Sequence, residues 1–316
     1  MKQTIEQQSI AGKSLLSLQD LTKEEILYVL DLAAELKKQN KKGELIQPLA
    51  GKTLGMIFEK SSTRTRVSFE TGIYQLGGMG LYLNSKDLQL GRGEPVADTA
   101  KVLSGYLDAI MIRANSHKMV EELAAHATIP VINGLTDLFH PCQALADLQT
   151  ILEYKGTLDG VKLAYIGDAN NVANSLMIAA AKTGMQIRIA SPAGYQPLPE
   201  IVEIAREISD DLDFLLITES PEEAASGADV LYTDVWTSMG QEEETQARLT
   251  AFQGFQVNET LMDSAASDAI FLHCLPAHRG EEVAAAVIDG PQSAVFQEAE
   301  NRLHAQKALM LAVMGK

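Results

Sequence analysis

Nowhere in these 316 residues does an apolar run approach the length of a membrane span, which argues against a helical membrane protein. Met1-Lys2-Gln3-Thr4-Ile5-Glu6 lacks the apolar core of a signal peptide and the Arg-rich, acid-poor character of a mitochondrial presequence. Two cysteines make no disulfide framework, so the cytoplasm is the expected compartment. Cations are scarce: 26 Lys and Arg stand against 42 Asp and Glu, a formal net charge of −16. That balance argues against nucleic acid and anionic membrane as partners. It also means that an anionic ligand must be held by local arginines against an unhelpful mean field. The full Gly-x-x-x-x-Gly-Lys-Ser/Thr phosphate loop and a Gly-x-Gly-x-x-Gly turn are both missing.

What is present is a length that suggests two domains and an apolar share ordinary for a globular protein. The organising stretch is Phe58 to Glu70, which contains Ser61-Ser62-Thr63-Arg64-Thr65-Arg66. A strand-like run, Lys52 to Phe58, precedes it, and Val67, Phe69, Ile73 and Leu76 follow at helical spacing. A helix start offers unpaired N–H groups and a positive partial charge. With the hydroxyls of Ser62, Thr63 and Thr65 and the fork of Arg64, the place suits a phosphate. A plain helix cap is the alternative for any one of these residues; two arginines among three hydroxyls favour a ligand. Arg66 should face elsewhere and pair with Glu70 or Glu59.

Upstream, Leu21 to Asn40 reads as an amphipathic helix capped by Thr22 or Asp20, burying Ile26, Leu27, Val29, Leu30, Leu32, Ala33 and Leu36. Lys37 to Lys42 reads as its solvated end. Downstream, Asp87 to Pro95 is read as an irregular loop and Val96 to Ser104 as a helix. Ala109 to Ile112 is a buried strand ending at Arg113, and Pro130 to Gly134 is a third strand leading to His140-Pro141-Cys142-Gln143. Parallel α/β sheets place ligands at the carboxyl ends of their strands, so these three ends make one convergent polar site. From Val161 on, strand and helix alternate again, with Gly167-Asp168-Ala169-Asn170-Asn171 as the first tight loop. Side-chain amides stand there in place of bare backbone, which favours an amino-acid carboxylate over a pyrophosphate. The fold expected is α/β: two doubly wound domains, each with a parallel central sheet, joined by helices.

The stretch Ser62 to Arg66 resembles the carbamoyl-phosphate motif of the carbamoyltransferases. His140-Pro141-Cys142-Gln143, Asp234-Val235-Trp236-Thr237-Ser238-Met239-Gly240 and His273-Cys274-Leu275-Pro276 are similar to its ornithine branch, over essentially the whole chain. The resemblance implies a carbamoyl-phosphate domain at 1–150, with a helix at 293–316 packing back on it, and an ornithine domain at 151–292. It implies that Ser62, Thr63, Arg64, Thr65 and Gln89 hold phosphate. Arg113, His140 and Thr65 donate to the carbonyl oxygen. Gln143 and the carbonyls around Leu275 and Arg302 meet the carbamoyl NH2. Asn171, Asp234, Ser238 and Met239 hold ornithine, with Cys274 near its amines. Arg64, Arg113, His140 and Cys274 are the expected catalytic set. It further implies a cis peptide before Pro276, and a homotrimer with shared active sites and Gln89 reaching a neighbour. Trp236 to Glu244, a long polar loop after a strand end, suits a closing lid. Carbamoyl phosphate and L-ornithine are the expected partners, with L-citrulline the product.

No cofactor is expected. His273, Cys274 and His278 hint at a metal, but the spacing is weak and no carboxylate completes a set in the sequence, so no metal is assigned. Cys142 reads as a buried, inert thiol, and His117 and His304 as surface residues.

Overall fold

The computed structural model describes residues 10–44, 46–237 and 242–315. The chain divides into two compact units, Met1–Gln149 with Asn301–Lys316, and Thr150–Glu300. Each holds its own parallel sheet, the architecture that alternating apolar strands and amphipathic helices dictate.

In the first unit, α1 (Lys23–Lys41) starts at Thr22, whose hydroxyl accepts the Glu25 N–H while the Glu25 carboxylate accepts the Thr22 N–H. Its stripe is Ile26, Val29, Leu30, Ala33 and Leu36; Leu27 and Leu32, expected with them, are only half-buried. Lys37 corrects the expectation of a solvated basic end. It falls four residues after Ala33 on the packed face, is buried, and its Nζ donates to Asn301 Oδ1 at 2.6 Å. Then come β1 (Thr53–Phe58), α2 (Thr63–Gln75), β2 (Met79–Asn84), α3 (Val96–Ser104), β3 (Ala109–Arg113), α4 (His117–His126), β4 (Val131–Leu135) and α5 (Pro141–Lys155).

The sheet order is β2-β1-β3-β4, all parallel. β1 and β3 are covered on both faces, so they are apolar throughout rather than alternating. The chain leaves β1 for one side and returns at β3 on the other. The carboxyl ends of β1 and β3 therefore border a switch point, where this topology opens a crevice. The stretch expected as irregular holds two single turns of 3-10 helix, Ser85–Asp87 and Gln89–Arg92. Asn84 caps the first, and Gly93 closes the second at φ 96°. One turn each is short enough to coexist with the glycines. Arg66 pairs with Glu70 at 3.3 Å and lies over the Tyr82 ring, while Glu59 accepts the Asn115 N–H.

The second unit contains β5 (Lys162–Ile166), α6 (Asn171–Thr183), β6 (Gln186–Ala190), α7 (Pro199–Ile208), β7 (Leu215–Thr218), α8 (Pro221–Ala225) and β8 (Val230–Thr233). After these come α9 (Thr245–Ala251), α10 (Glu259–Ser264), β9 (Ile270–Leu272) and α11 (Ala285–Ile288). The order β7-β6-β5-β8-β9 is again parallel, and its switch point lies between β5 and β8. Tyr165 and Tyr232, register partners on those strands, stack at 5.8 Å. Trp236, Phe252, Phe255 and Phe271 belong to the core on one side of this sheet.

The last helix, α12 (Val295–Met314), is counted with the first unit from Asn301 on. Gly72 of α2 lets it approach closely: a Cβ there would lie 2.8 Å from Met310 Cε. Both histidines expected at the surface are buried. His117 Nδ1 lies 2.9 Å from Thr136 Oγ1, with its ring edge-on to Phe139, and His304 sits on the packed face of α12. Neither has a motif around it, and only the packing of its helix decides its burial. No described helix is long and apolar enough to cross a membrane.

Candidate active site

In the first unit the polar groups gather at the β1–β3 switch point. Ser62 leaves β1 in extended conformation and caps α2, its Oγ accepting the Thr65 N–H. Its O–H reaches Thr65 Oγ1 at 3.1 Å. Thr65 is fully buried, whereas Thr63 and Arg64 are exposed on the first turn. Arg113, the last residue of β3, is buried, and so is His140, just ahead of α5.

The imidazole of His140 is held well below the ordinary histidine range, first by burial and then by the positive charges of Arg302, Arg113 and Arg64. Three guanidiniums are thus close enough to bias one ring, and that ring is neutral at physiological pH. Arg302 supplies more than the carbonyl expected of it. Its Nη1 donates to Gln143 Oε1 at 2.8 Å and its Nη2 to Thr65 Oγ1 at 3.0 Å. Gln143 in turn donates to Asp147 Oδ1 at 2.7 Å. Ser62, Thr65, Arg64, Arg113, His140, Gln143 and Arg302 therefore form one group. Gln89 is not among them; it lies exposed on the 3-10 turn that follows Leu88. Cys142 is buried beside the group, its S–H directed at the Asn133 carbonyl, and burial pushes its thiol up to about 12.

In the second unit the groups meet at the β5–β8 switch point. Gly167 leaves β5 at φ 136°, where a Cβ would press on Thr233 Oγ1 at 3.3 Å. The loop it opens ends in Asn170, the cap of α6, with Asn171 as first helical residue. Asp234, directly after β8, is buried. Its Oδ2 accepts from Asn170 Nδ2 at 2.8 Å, and its Oδ1 accepts from the Val235 N–H at 2.8 Å and from Cys274 Sγ at 3.1 Å. Asp234 and Cys274 thus come together from strand ends 40 residues apart, as the sequence motifs suggested. Asn171 is half-buried. Ser238 and Met239 lie outside the described residues.

Cys274 and Leu275 sit on a segment pinned by two buried glutamates. Glu298 accepts the His273 N–H at 2.9 Å, and Glu282 Oε1 lies 3.1 Å from His273 Nε2 and accepts the His278 N–H. The Leu275 N–H donates to His273 Nδ1, so the ring proton is on Nε2, directed at Glu282. Leu275 has φ 57°, a left-handed conformation uncommon without glycine, and precedes a cis bond to Pro276. The expectation that no carboxylate accompanies these residues is corrected. Asp234 groups with His273 and Cys274, and Glu281 and Glu282 with His278. Asp234 lies about 40 residues from His273 and Cys274, which motif spacing cannot register, whereas Glu281 and Glu282 stand three and four residues after His278 and were within reach of the sequence.

Sequence reasoning also missed a buried pair. Arg248 Nη1 donates to Asp168 Oδ2 at 2.8 Å and to the Trp236 carbonyl, and its Nε donates to Glu244. Burial pushes the Asp168 carboxyl up to about 6, against the pull of Arg248. The signal available for Asn170 was its position as an Asn at the start of a helical pattern. For Arg248, Glu282 and Glu298 there was none.

Two doubly wound parallel-sheet units, each gathering polar groups at its own switch point, place the protein among α/β proteins that bind ligands at such crevices. Residues 13–153 match "Aspartate/ornithine carbamoyltransferase, carbamoyl-P binding domain", and residues 159–313 match "Aspartate/ornithine carbamoyltransferase, Asp/Orn binding domain". The chain belongs to the aspartate/ornithine carbamoyltransferase family. It is 64% identical to the ornithine carbamoyltransferase of Oceanobacillus iheyensis, over 98% of this chain and 97% of that one. It is 62% identical to that of Bacillus subtilis, over 99% and 97%. The solved ornithine carbamoyltransferase from Pyrococcus furiosus superposes with a TM-score of 0.94 at 55% identity, over 97% of this chain and 98% of that one.

Proposed function

We propose that this protein is an ornithine carbamoyltransferase, which converts carbamoyl phosphate and L-ornithine to L-citrulline and phosphate. The observation that carries the reading is the trio Arg64, Arg113 and Arg302 acting on buried, neutral His140 in a chain of net charge −16. Such a focus of positive charge suits a small, doubly charged acyl donor. High identity to ornithine carbamoyltransferases along nearly the full chain supports the same choice.

In this reading the first unit binds carbamoyl phosphate and the second binds ornithine. Ser62, Thr63, Arg64 and Thr65 hold the phosphate at the start of α2. Arg113 and His140 donate to the carbonyl oxygen as its charge grows; one such donor contributes roughly 3–4 kcal/mol. A neutral imidazole does this without giving up its proton at working pH. Gln143 meets the carbamoyl NH2. Asp234 takes the α-ammonium of ornithine, with Asn171, Ser238 and Met239 completing the clamp and Cys274 beside the amines.

The side-chain amine of ornithine, lysine-like with a pKa of about 10.4, costs about 4 kcal/mol to neutralise near pH 7.5. Its nitrogen then bonds to the carbonyl carbon while the carbon–oxygen bond to phosphate breaks. The departing phosphate keeps the electron pair and takes the amine proton. The rate with ornithine therefore rises with pH to about 8 or above.

The homotrimer belongs to the same proposal, with Gln89 completing a neighbour's site. It is supported by β2, an edge strand left half-exposed, and by exposed Val67, Tyr74, Met79, Val102 and Tyr106 on the same unit. Two free cysteines fit the reducing cytoplasm. The test is citrulline formation with ornithine, putrescine, N-acetylornithine and aspartate as amines. Turnover with ornithine at least about 100-fold faster than with the others supports the reading. Binding without turnover, or preference for another amine, overturns it.

A further inference from the structure

Asp234 is held at Oδ2 by the Asn170 amide. Its Oδ1 is already engaged by the Val235 N–H and the Cys274 S–H, while Oδ2 has Asn170 Nδ2 at 2.8 Å. The Asn170 amide is itself fixed. Its Oδ1 accepts the N–H groups of Val172 and Ala173 at the head of α6, and Tyr165 O–H reaches it at 3.3 Å. With the oxygen committed to the two N–H groups at the helix head, the NH2 is left to point toward Asp234. Tyr165 also donates to the Asp168 carbonyl, so the string Tyr165–Asn170–Asp234–Cys274 runs from the end of β5 past the end of β8.

We propose that Asn170 is a positioning residue for the amino-acid substrate: it caps α6 with one end of its amide and with the other fixes the Asp234 carboxylate. This deepens, and rests on, the reading of Asp234 as the group that meets the substrate's α-ammonium. The amide orients the carboxylate without neutralising it, so the full negative charge remains for the incoming cation. A second carboxylate at position 170 caps a helix as well as asparagine does. It cannot donate to Asp234 unless the two share a proton.

Asn170→Asp therefore separates capping from positioning. We expect its thermal midpoint to stay near wild type at pH 6. Its KM for ornithine should rise at least about tenfold at pH 8, with the KM for carbamoyl phosphate within about twofold of wild type. Because a shared proton restores the bridge, the ornithine defect should shrink as pH falls. The other groups facing Asp234 are Cys274, His273, Tyr165 and Asp168, the last tied to Arg248, and all are common to wild type and variant.

Asn170→Ser, which keeps a capping oxygen and loses the donor, should show the raised ornithine KM with no such pH recovery. It carries the test if the aspartate variant does not fold. An unchanged ornithine KM in both variants, or equal losses for both substrates, overturns the inference. Wild type that makes citrulline while the variants are kinetically silent leaves the proposed function standing. Wild type that makes none removes both.

Discussion

Substituting Asp168 by Asn should remove a slope from the pH dependence of stability, with a predictable sign. The carboxyl is buried, and burial raises it from 3.8 to about 6 although Arg248 Nη1 lies 2.8 Å away. Desolvation and pairing oppose each other here, and desolvation wins. The folded chain holds this proton about two pH units further than the unfolded chain does, a linkage of about 3 kcal/mol at roughly 1.4 kcal/mol per unit. The stabilisation is complete below about 3.8 and is lost as pH climbs to about 6. Relative to Asp168→Asn, wild type should therefore be more stable at pH 4 than at pH 7 by about 2.4 kcal/mol in the difference, and level beyond. Glu244 remains as a partner for Arg248 in the variant, which moves the offset rather than the slope.

Urea unfolding followed by tryptophan fluorescence is well suited to this measurement. The only tryptophan, Trp236, is buried against Phe252 and accepts a hydrogen bond from Arg248 through its carbonyl. A flat difference between pH 4 and 7 would refute the reasoning. A difference of opposite sign would mean that the ion pair outweighs burial.

Three further outcomes follow from the site and the core. Arg64→Ala should lower kcat/KM for carbamoyl phosphate by about 100- to 1,000-fold, whereas a loss of only a few-fold would make Arg64 a surface residue. Cys142, raised to about 12, has about one thiolate in ten thousand at pH 8, so a chromogenic disulfide should titrate at most one fast thiol per native chain, and none in Cys274→Ser. Lys37→Met breaks the buried bond to Asn301 and should lower stability by about 1–3 kcal/mol in urea, and a neutral result would return Lys37 to the solvated end of α1.

Local chemistry carried much of this protein in its sequence. Apolar runs between turns marked the central strands β1, β3, β5 and β8, because parallel strands covered on two faces cannot alternate. Ser62 and Thr22 marked helix starts, because only short oxygen-bearing side chains satisfy the first N–H groups. The Ser-Thr-Arg-Thr-Arg, His-Pro-Cys-Gln and His-Cys-Leu-Pro stretches pointed to the strand ends where polar groups do gather.

Tertiary structure alone decided which distant groups share a charge. Lys37 and His304 look like surface residues until their helices pack. Arg248 is an ordinary helical arginine until it meets Asp168, eighty residues away. Arg302 delivers its guanidinium, rather than its carbonyl alone, to Thr65 and Gln143 because α12 lies against α2 at Gly72. Burial and pairing are set by the three-dimensional neighbours of a group, and those neighbours carry no signature in the residues adjoining it along the chain.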